Sequence, residues 1–262
     1  MRVLKLLPKH LLYATLPIVC GFTLARAQGS STVVASKDPQ AVAIVTQAIA
    51  AMGPAVSTIQ DSLTTATITY YDGSSGALTI KTRGQLLRHE IGLPNGSLVY
   101  VINPVGSYML NNGKRSALPL WATKYQLPEH IPALGRLIQF SLPNMQLNFV
   151  GQETINNQAV YHILLYALPT DATSATIEKM LSEFHFFVDA STYQIVKSRG
   201  YIFSPDAIEN RSVVENSYSD YRSVNGITVP FHIVRTVSGQ PYCEITLTNV
   251  AFNVGLSASD FQ

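Results

Sequence analysis

Two periodicities divide the chain. Near the start, Val42, Val45, Ile49 and Met52 recur at helical spacing, with Ala41, Ile44 and Ala48 beside them. Asp38 supplies an N-cap, Pro39 suits the first turn, and Gly53-Pro54 closes the segment. This predicts one amphipathic helix from Pro39 to Met52, almost without charge, that must lie on an apolar surface. Beyond it, alternation of apolar and polar residues takes over. Ser62 to Tyr71, Ala77 to Arg83, Gln85 to Ile91, Leu98 to Ile102 and Tyr108 to Leu110 read as strands, with Asn112-Gly113 as a tight hairpin turn. Lys114-Arg115, the only adjacent basic pair, reads as a solvated hairpin tip.

Between Leu118 and Ser141 the pattern breaks. Pro119, Pro128 and Pro132 accompany Trp121, and Ile131, Leu134, Leu137 and Ile138 form one helical stripe. Two short helices around a Pro-rich bend account for it. Strands then resume: Met145 to Gln152, Ala159 to Leu168, Phe184 to Val188, Tyr193 to Phe203, Arg211 to Tyr221, Ile227 to Val237 and Tyr242 to Val250, with a helix over Asp171 to Leu181. In the last two strands Ile227, Val229, Phe231 and Ile233 share one face, as do Cys243, Ile245, Leu247 and Asn249. Thr228, His232, Thr236, Glu244, Thr246 and Thr248 take the other, which is the mark of an antiparallel sheet with a dry and a wet side. The expectation is an α+β domain over 38–262: one highly curved sheet of about eleven strands, an incomplete barrel, with helices covering its concave face. A sheet of that size must curl, split or close, and helices do not alternate with strands as a parallel fold requires.

Residues 1–27 read as a signal peptide. Arg2, Lys5 and Lys9 precede the apolar run Leu11 to Leu24, and Ala25-Arg26-Ala27 offers small residues at −3 and −1, so cleavage is expected before Gln28. An exported, periplasmic chain follows, with 28–37 as a flexible tether. Val19 stands before Cys20 where a lipidation signal wants a small residue, which argues against a lipid-anchored form. Removing the signal reverses the charge: 14 of the 18 basic residues then face all 16 acidic ones, a formal net charge of −2. No clustered basic face remains for a nucleic-acid partner, and no mature segment approaches the length of a membrane-spanning helix. Cys243 is left without a disulfide partner and reads as a small buried hydrophobe.

No catalytic signature emerges. His89-Glu90 lacks the second His of a zinc-protease helix, because Leu93 stands in its place. There is no Gly-x-Ser-x-Gly elbow, no dinucleotide fingerprint and no Cys-pair metal motif. His89, His130, His162, His185 and His232 fall on separate segments without metal spacing. Thus no catalytic residue, metal site or cofactor is expected. The aromatics carry the remaining chemistry: 13 Tyr and 10 Phe fill a core, or line a hollow that takes an acyl chain by desolvation. Several strands, Leu98 to Ile102 and Tyr161 to Leu168 among them, are apolar on both faces and need a helix, a partner or a ligand.

Taken together, the segments resemble the LolA/LolB/LppX-like periplasmic lipoprotein-carrier superfamily. The similarity rests on the exported N-terminus, the helix from Pro39 to Met52, the hairpin Val150 to Tyr161, Phe187-Val188-Asp189 with Thr192 to Lys197, Asp220-Tyr221-Arg222 leading to Asn225 to Phe231, and the closing Asn253, Leu256 and Phe261. It covers most of the mature chain without containing a chemical motif. The resemblance implies a half-barrel that holds lipid or lipoprotein acyl chains, without cofactor or catalysis. It makes Trp121, Ile131, Leu134, Leu137, Ile138 and Phe140 the lid and mouth, and Arg83 or Arg88 a latch for the lid. The alternative is a non-catalytic scaffold that binds another envelope protein through its sheet.

Overall fold

The computed structural model describes residues 35–103, 106–118, 137–169, 175–204 and 207–262. They form one sheet. Helix α1, Pro39–Ala51, comes first, and Asp38 caps it by accepting from the N–H groups of Gln40 and Ala41. Six strands follow: β1 (Asp61–Tyr70), β2 (Ser75–Arg83), β3 (Leu86–Leu93), β4 (Gly96–Ile102), β5 (Tyr108–Asn111) and β6 (Lys114–Ala117). After the 3-10 turn Ile138–Ser141 come β7 (Met145–Ile155), β8 (Gln158–Ala167), helix α2 (Ala175–Ser182) and β9 (Phe184–Asp189). The chain ends with β10 (Ile195–Ser204), β11 (Ala207–Val224), β12 (Ile227–Val237), β13 (Gln240–Phe252) and a 3-10 turn, Ala258–Phe261.

All thirteen strands belong to one open antiparallel sheet in the order β6-β5-β4-β3-β2-β1-β13-β12-β11-β10-β9-β8-β7. Only β1 and β13 break the meander, so the two chain halves meet at the centre, and β6 and β7 are the edges. The expected count of about eleven is two short. One reason is Lys114–Ala117, whose four exposed residues carry no alternation to reveal a strand. Helix α2 overlaps the segment expected to be helical and ends one residue beyond Leu181.

A single core gathers one face of the sheet. Ala66, Ile68, Leu78, Ile80, Leu87, Ile91 and Ile102 from the first half share a cluster with Leu147, Ile163, Leu165, Phe184, Phe186, Ile233, Ile245 and Leu247 from the second. Helix α1 seals part of this inner face with Ala41, Ile44, Val45 and Ala48, its smallest side chains among them, while Val42 and Ile49 pack at the margin. The expected stripe is therefore centred slightly to one side. Asn249 is corrected too: the register slips so that Ala66 faces Leu247 while Thr65 faces Asn249. The bulge turns Asn249 outward and brings Val250 into the core at 5% exposure.

Both ends of α1 are tied to strands. Ahead of it, the peptide groups of Ser36 and Asp38 bond to Leu147, so the last residues of the expected tether run parallel along the edge of β7 and cover part of an open edge. Behind it, the Met52 carbonyl accepts from Thr228 N–H at 2.7 Å. Gly53, at φ 105°, lies so close to the β11–β12 turn that an added Cβ would fall on the carbonyl oxygen of Gly226. Only glycine permits that approach.

Candidate functional site

The inner face is largely apolar, with Ser62, Thr64, Thr82 and His89 as polar positions on its first half and a row of polar residues on its second. Register places Ser198, Asn216, Arg235, Cys243 and Tyr70 side by side across β10, β11, β12, β13 and β1. The neighbouring row is Tyr218, Ile233, Ile245 and Ile68, all in the core. Within the polar row the Ser198 hydroxyl shares a hydrogen bond of 2.7 Å with the Tyr218 hydroxyl, and Arg235 donates through Nε to Asn216 Oδ1 at 2.8 Å. Ser198 and Asn216 are buried. Arg235 is half-buried, and no carboxylate pairs with it among the described residues.

Phenols gather around that arginine. Tyr70 meets Tyr242 edge to face with ring centroids 5.5 Å apart. Burial, followed by the neighbouring Tyr242 and Cys243, pushes the Tyr70 hydroxyl up to about 12, against a smaller opposing pull from Arg235. Tyr100 is raised by burial and by Tyr242. Tyr100 lies in the row of Thr64, six residues from Tyr70 on β1, so on a flat sheet the two would be three strand spacings across and roughly 20 Å along the strands apart. Their mutual influence at Tyr70 fits rings that lean together over a concave surface. The Tyr70 and Tyr100 hydroxyls thus keep their protons at neutral pH and act as donors. Burial also raises the Cys243 thiol, again against Arg235, which leaves it protonated and poorly nucleophilic.

Further along, a small pocket lies between α1 and the sheet, bounded by Ala48, Ala51, Met52, Gln194, Ile195, Tyr221 and Thr228. Its interior of about 10 Å³ is on the order of one water. The Tyr221 hydroxyl donates to the Ile195 carbonyl beside it.

The outer face is organised differently. There Glu153, His162, His185 and Glu183 form a chain: His162 Nδ1 to Glu153 Oε1 at 2.5 Å, His162 Nε2 to His185 Nδ1 at 2.8 Å, and His185 Nε2 to Glu183 Oε1 at 3.1 Å. Three contacts between four ring nitrogens and two carboxylates need three N–H groups, one more than two neutral imidazoles carry. With both rings neutral, one of the three links goes without a proton at any moment. Burial lowers the His185 pKa, with the His162 charge adding to it, against the pull of Glu183. Burial pushes Glu183 up, but bonds from His185 and Arg211 outweigh it and the net shift is downward. Tyr201 and Arg211 complete its shell at 3.1 and 3.4 Å. Phe187 stacks on His162 at 4.5 Å, with the Lys197 and Arg199 cations 5.7 and 5.2 Å from its ring centroid. These groups explain why all six residues of β9 are buried. In this part of the sheet the second apolar face is covered by the chain itself.

Of the residues expected at the lid and mouth, Leu137 is fully buried in the core and Phe140 packs half-buried against it. Ile138 opens the 3-10 turn, and Trp121, Ile131 and Leu134 lie outside the described residues. Arg83 and Arg88 sit on the alternation phase opposite to Leu78, Ile80, Leu87 and Ile91, which is the outer phase. Arg83 is exposed. Arg88 bonds to Glu90 and to the terminal carbonyl of Gln262, beside the Lys81–Asp260 pair at 3.0 Å. Both side chains thus face away from the core, and Arg88 binds the C-terminal turn. Arg235 went unnoticed in the sequence, although it continues the phase of Ile227 to Ile233. Among the described residues no cluster of three or more His, Cys, Asp or Glu side chains is placed to hold a metal, and no helix is long and apolar enough to cross a membrane.

An open curved sheet with a helix laid on its inner face defines an architectural class. No family model and no curated protein matches the chain, but solved structures do. An outer membrane lipoprotein-sorting protein domain from Vibrio parahaemolyticus superposes with a TM-score of 0.52 over 85% of this chain and 96% of its own, at 13% identity. A DUF1329 family protein from Desulfovibrio piger does so with a TM-score of 0.53 over 86% and 98%, at 14% identity. At such identities the likeness is one of fold. The chain shares the fold of these two structures.

Proposed function

We propose that this chain is an exported, non-catalytic carrier that holds acyl chains of lipid or lipoprotein against the inner face of its half-barrel. The observation that carries the reading is the broad, mostly apolar inner face of a thirteen-stranded open sheet, on which α1 lays a single thirteen-residue helix. At roughly 1.5 Å per residue that helix reaches about 20 Å, whereas thirteen strands span roughly 58 Å. On this reading Trp121, Ile131 and Leu134 serve as ligand-contacting residues. The signal sequence delivers the chain to the periplasm and is removed before Gln28. The outer membrane lipoprotein-sorting protein domain from Vibrio parahaemolyticus shares this fold, in keeping with a carrier role.

The scaffold alternative drew on strands apolar on both faces. In β8 and β9 the outer side is filled by Phe187, the His pair and the stems of Lys197 and Arg199, which removes that motive there. Native mass spectrometry of the mature chain purified from its export compartment tests the carrier reading. The expected result is adducts of lipid mass that dissociate on activation, together with uptake of added palmitate. Absence of both, with a folded protein, overturns it.

A further inference from the structure

Arg235 is costly where it stands. It lies in an apolar face, with Ile233 on one side along β12 and Val237, opposite Val214, on the other. A guanidinium carries five donors, and here one hydrogen bond, Nε to Asn216 Oδ1, fixes its orientation. Asn216 is itself buried at 2% exposure and held through Ser198, so the arginine is braced from behind. A half-buried cation without a counter-charge is destabilising unless something else pairs with it. Burial holds the nearby Tyr70 and Tyr100 hydroxyls and the Cys243 thiol in their neutral forms, and the Tyr242 ring packs beside Tyr70. The nearest acid in sequence on these strands, Glu244, falls on the opposite phase of β13, where it binds Tyr71 and His232. Every feature of this cluster offers protons and positive charge, and none offers an anion.

Resting on the carrier reading, we infer that Arg235 and the surrounding tyrosines form a subsite for the oxyanion of an acyl ligand, a carboxylate or phosphate at its polar end. A planar guanidinium pairs bidentately with either group, and phenol O–H groups can complete the shell. The apolar rows on both sides of the arginine receive the hydrocarbon. The site therefore selects anionic amphiphiles over neutral ones with the same chain. It also sets the direction of the ligand, with the head toward the β12–β13 hairpin and the tail toward Ile68, Ile233 and Ile245.

The test compares palmitate, lysophosphatidylglycerol and neutral monopalmitoylglycerol, with inorganic phosphate as a fourth probe, on the full mature chain and on Arg235→Gln and Arg235→Lys. Binding is read by displacement of a fluorescent fatty acid and by native mass spectrometry, and folding by near-UV circular dichroism. The expected result is at least tenfold tighter binding of the two anionic amphiphiles than of the neutral one. In Arg235→Gln that preference collapses while neutral binding is unchanged, and Arg235→Lys restores part of it. Equal binding of all three amphiphiles, or a preference that survives Arg235→Gln, overturns the subsite and leaves the carrier reading intact. No amphiphile binding at all overturns both. Phosphate binding lost in Arg235→Gln, without amphiphile binding, replaces the lipid source by a free anion.

Discussion

The inner face near β12 and the outer face of β8 to β11 are opposite solutions to the same problem of placing charge on a sheet. Outside, Glu215 is held by Lys197 and Arg199, both at 2.8 Å, and in the Glu153–His162–His185–Glu183 chain each acid has a ring partner. Inside, Arg235 has an orienting amide and no acid. A completed network consolidates a surface, whereas an incomplete one in an apolar setting is a place where a ligand gains affinity. On this comparison the outer face maintains the sheet and the inner face serves the cargo.

The largest effect should come from the inner core beneath the site. Phe186, fully buried, cut to alanine leaves a cavity, and a loss of about 3–5 kcal/mol is expected in urea unfolding. Next comes Gly53→Ala, which forces a side chain onto Gly226 at a positive φ. A cost of about 3 kcal/mol is expected, with increased exchange of the Thr228 amide because α1 loses its seat on β12. A Gly53→Ala chain as stable as wild type would mean that the helix end is not anchored there.

A pH titration sharpens the outer half of the comparison. In the unfolded chain His185 titrates near its ordinary 6.5, and in the folded chain burial holds it lower. Between those two values the unfolded chain binds the extra proton, so stability is complete above about 6.5 and falls as the pH drops through the folded value. Glu183, held below 4.5, adds a second loss of the same sign at lower pH. His185→Gln should flatten the first decline and leave the second. Chemical denaturation at pH 7 and pH 5 distinguishes the two. An unchanged slope in the variant would show that the chain of rings does not gate stability.

Much of the frame was legible in the sequence because it depends on local chemistry. Asp38, Pro39 and Gly53 punctuate the helix, and Asn112-Gly113 and Asn225-Gly226 mark turns with positive φ. What stayed hidden depends on register. His162 and His185 lie 23 positions apart and meet only because β8 and β9 align His162 with Phe187 and Leu164 with His185. The bulge beside Asn249 has no local signature, since Thr248 and Asn249 are both polar. Arg235 was within reach of simple alternation, two residues beyond Ile233, but a charge in a dry phase stands out only when the neighbouring strands prove to offer no acid.

The smallest effect tests whether the outer network is as redundant as its geometry implies. Glu215 keeps Arg199 when Lys197 is lost, and both cations are partly solvated, so Lys197→Ala should cost only about 0.5–1 kcal/mol. Much of that would be the stem packed toward Phe187 rather than the charge, and Lys197→Met should recover it. A double-mutant cycle with Arg199→Ala should show coupling, because the second loss leaves Glu215 without either of these cations. If the two losses simply add, each cation acts alone, and the outer face is a collection of pairs instead of a network.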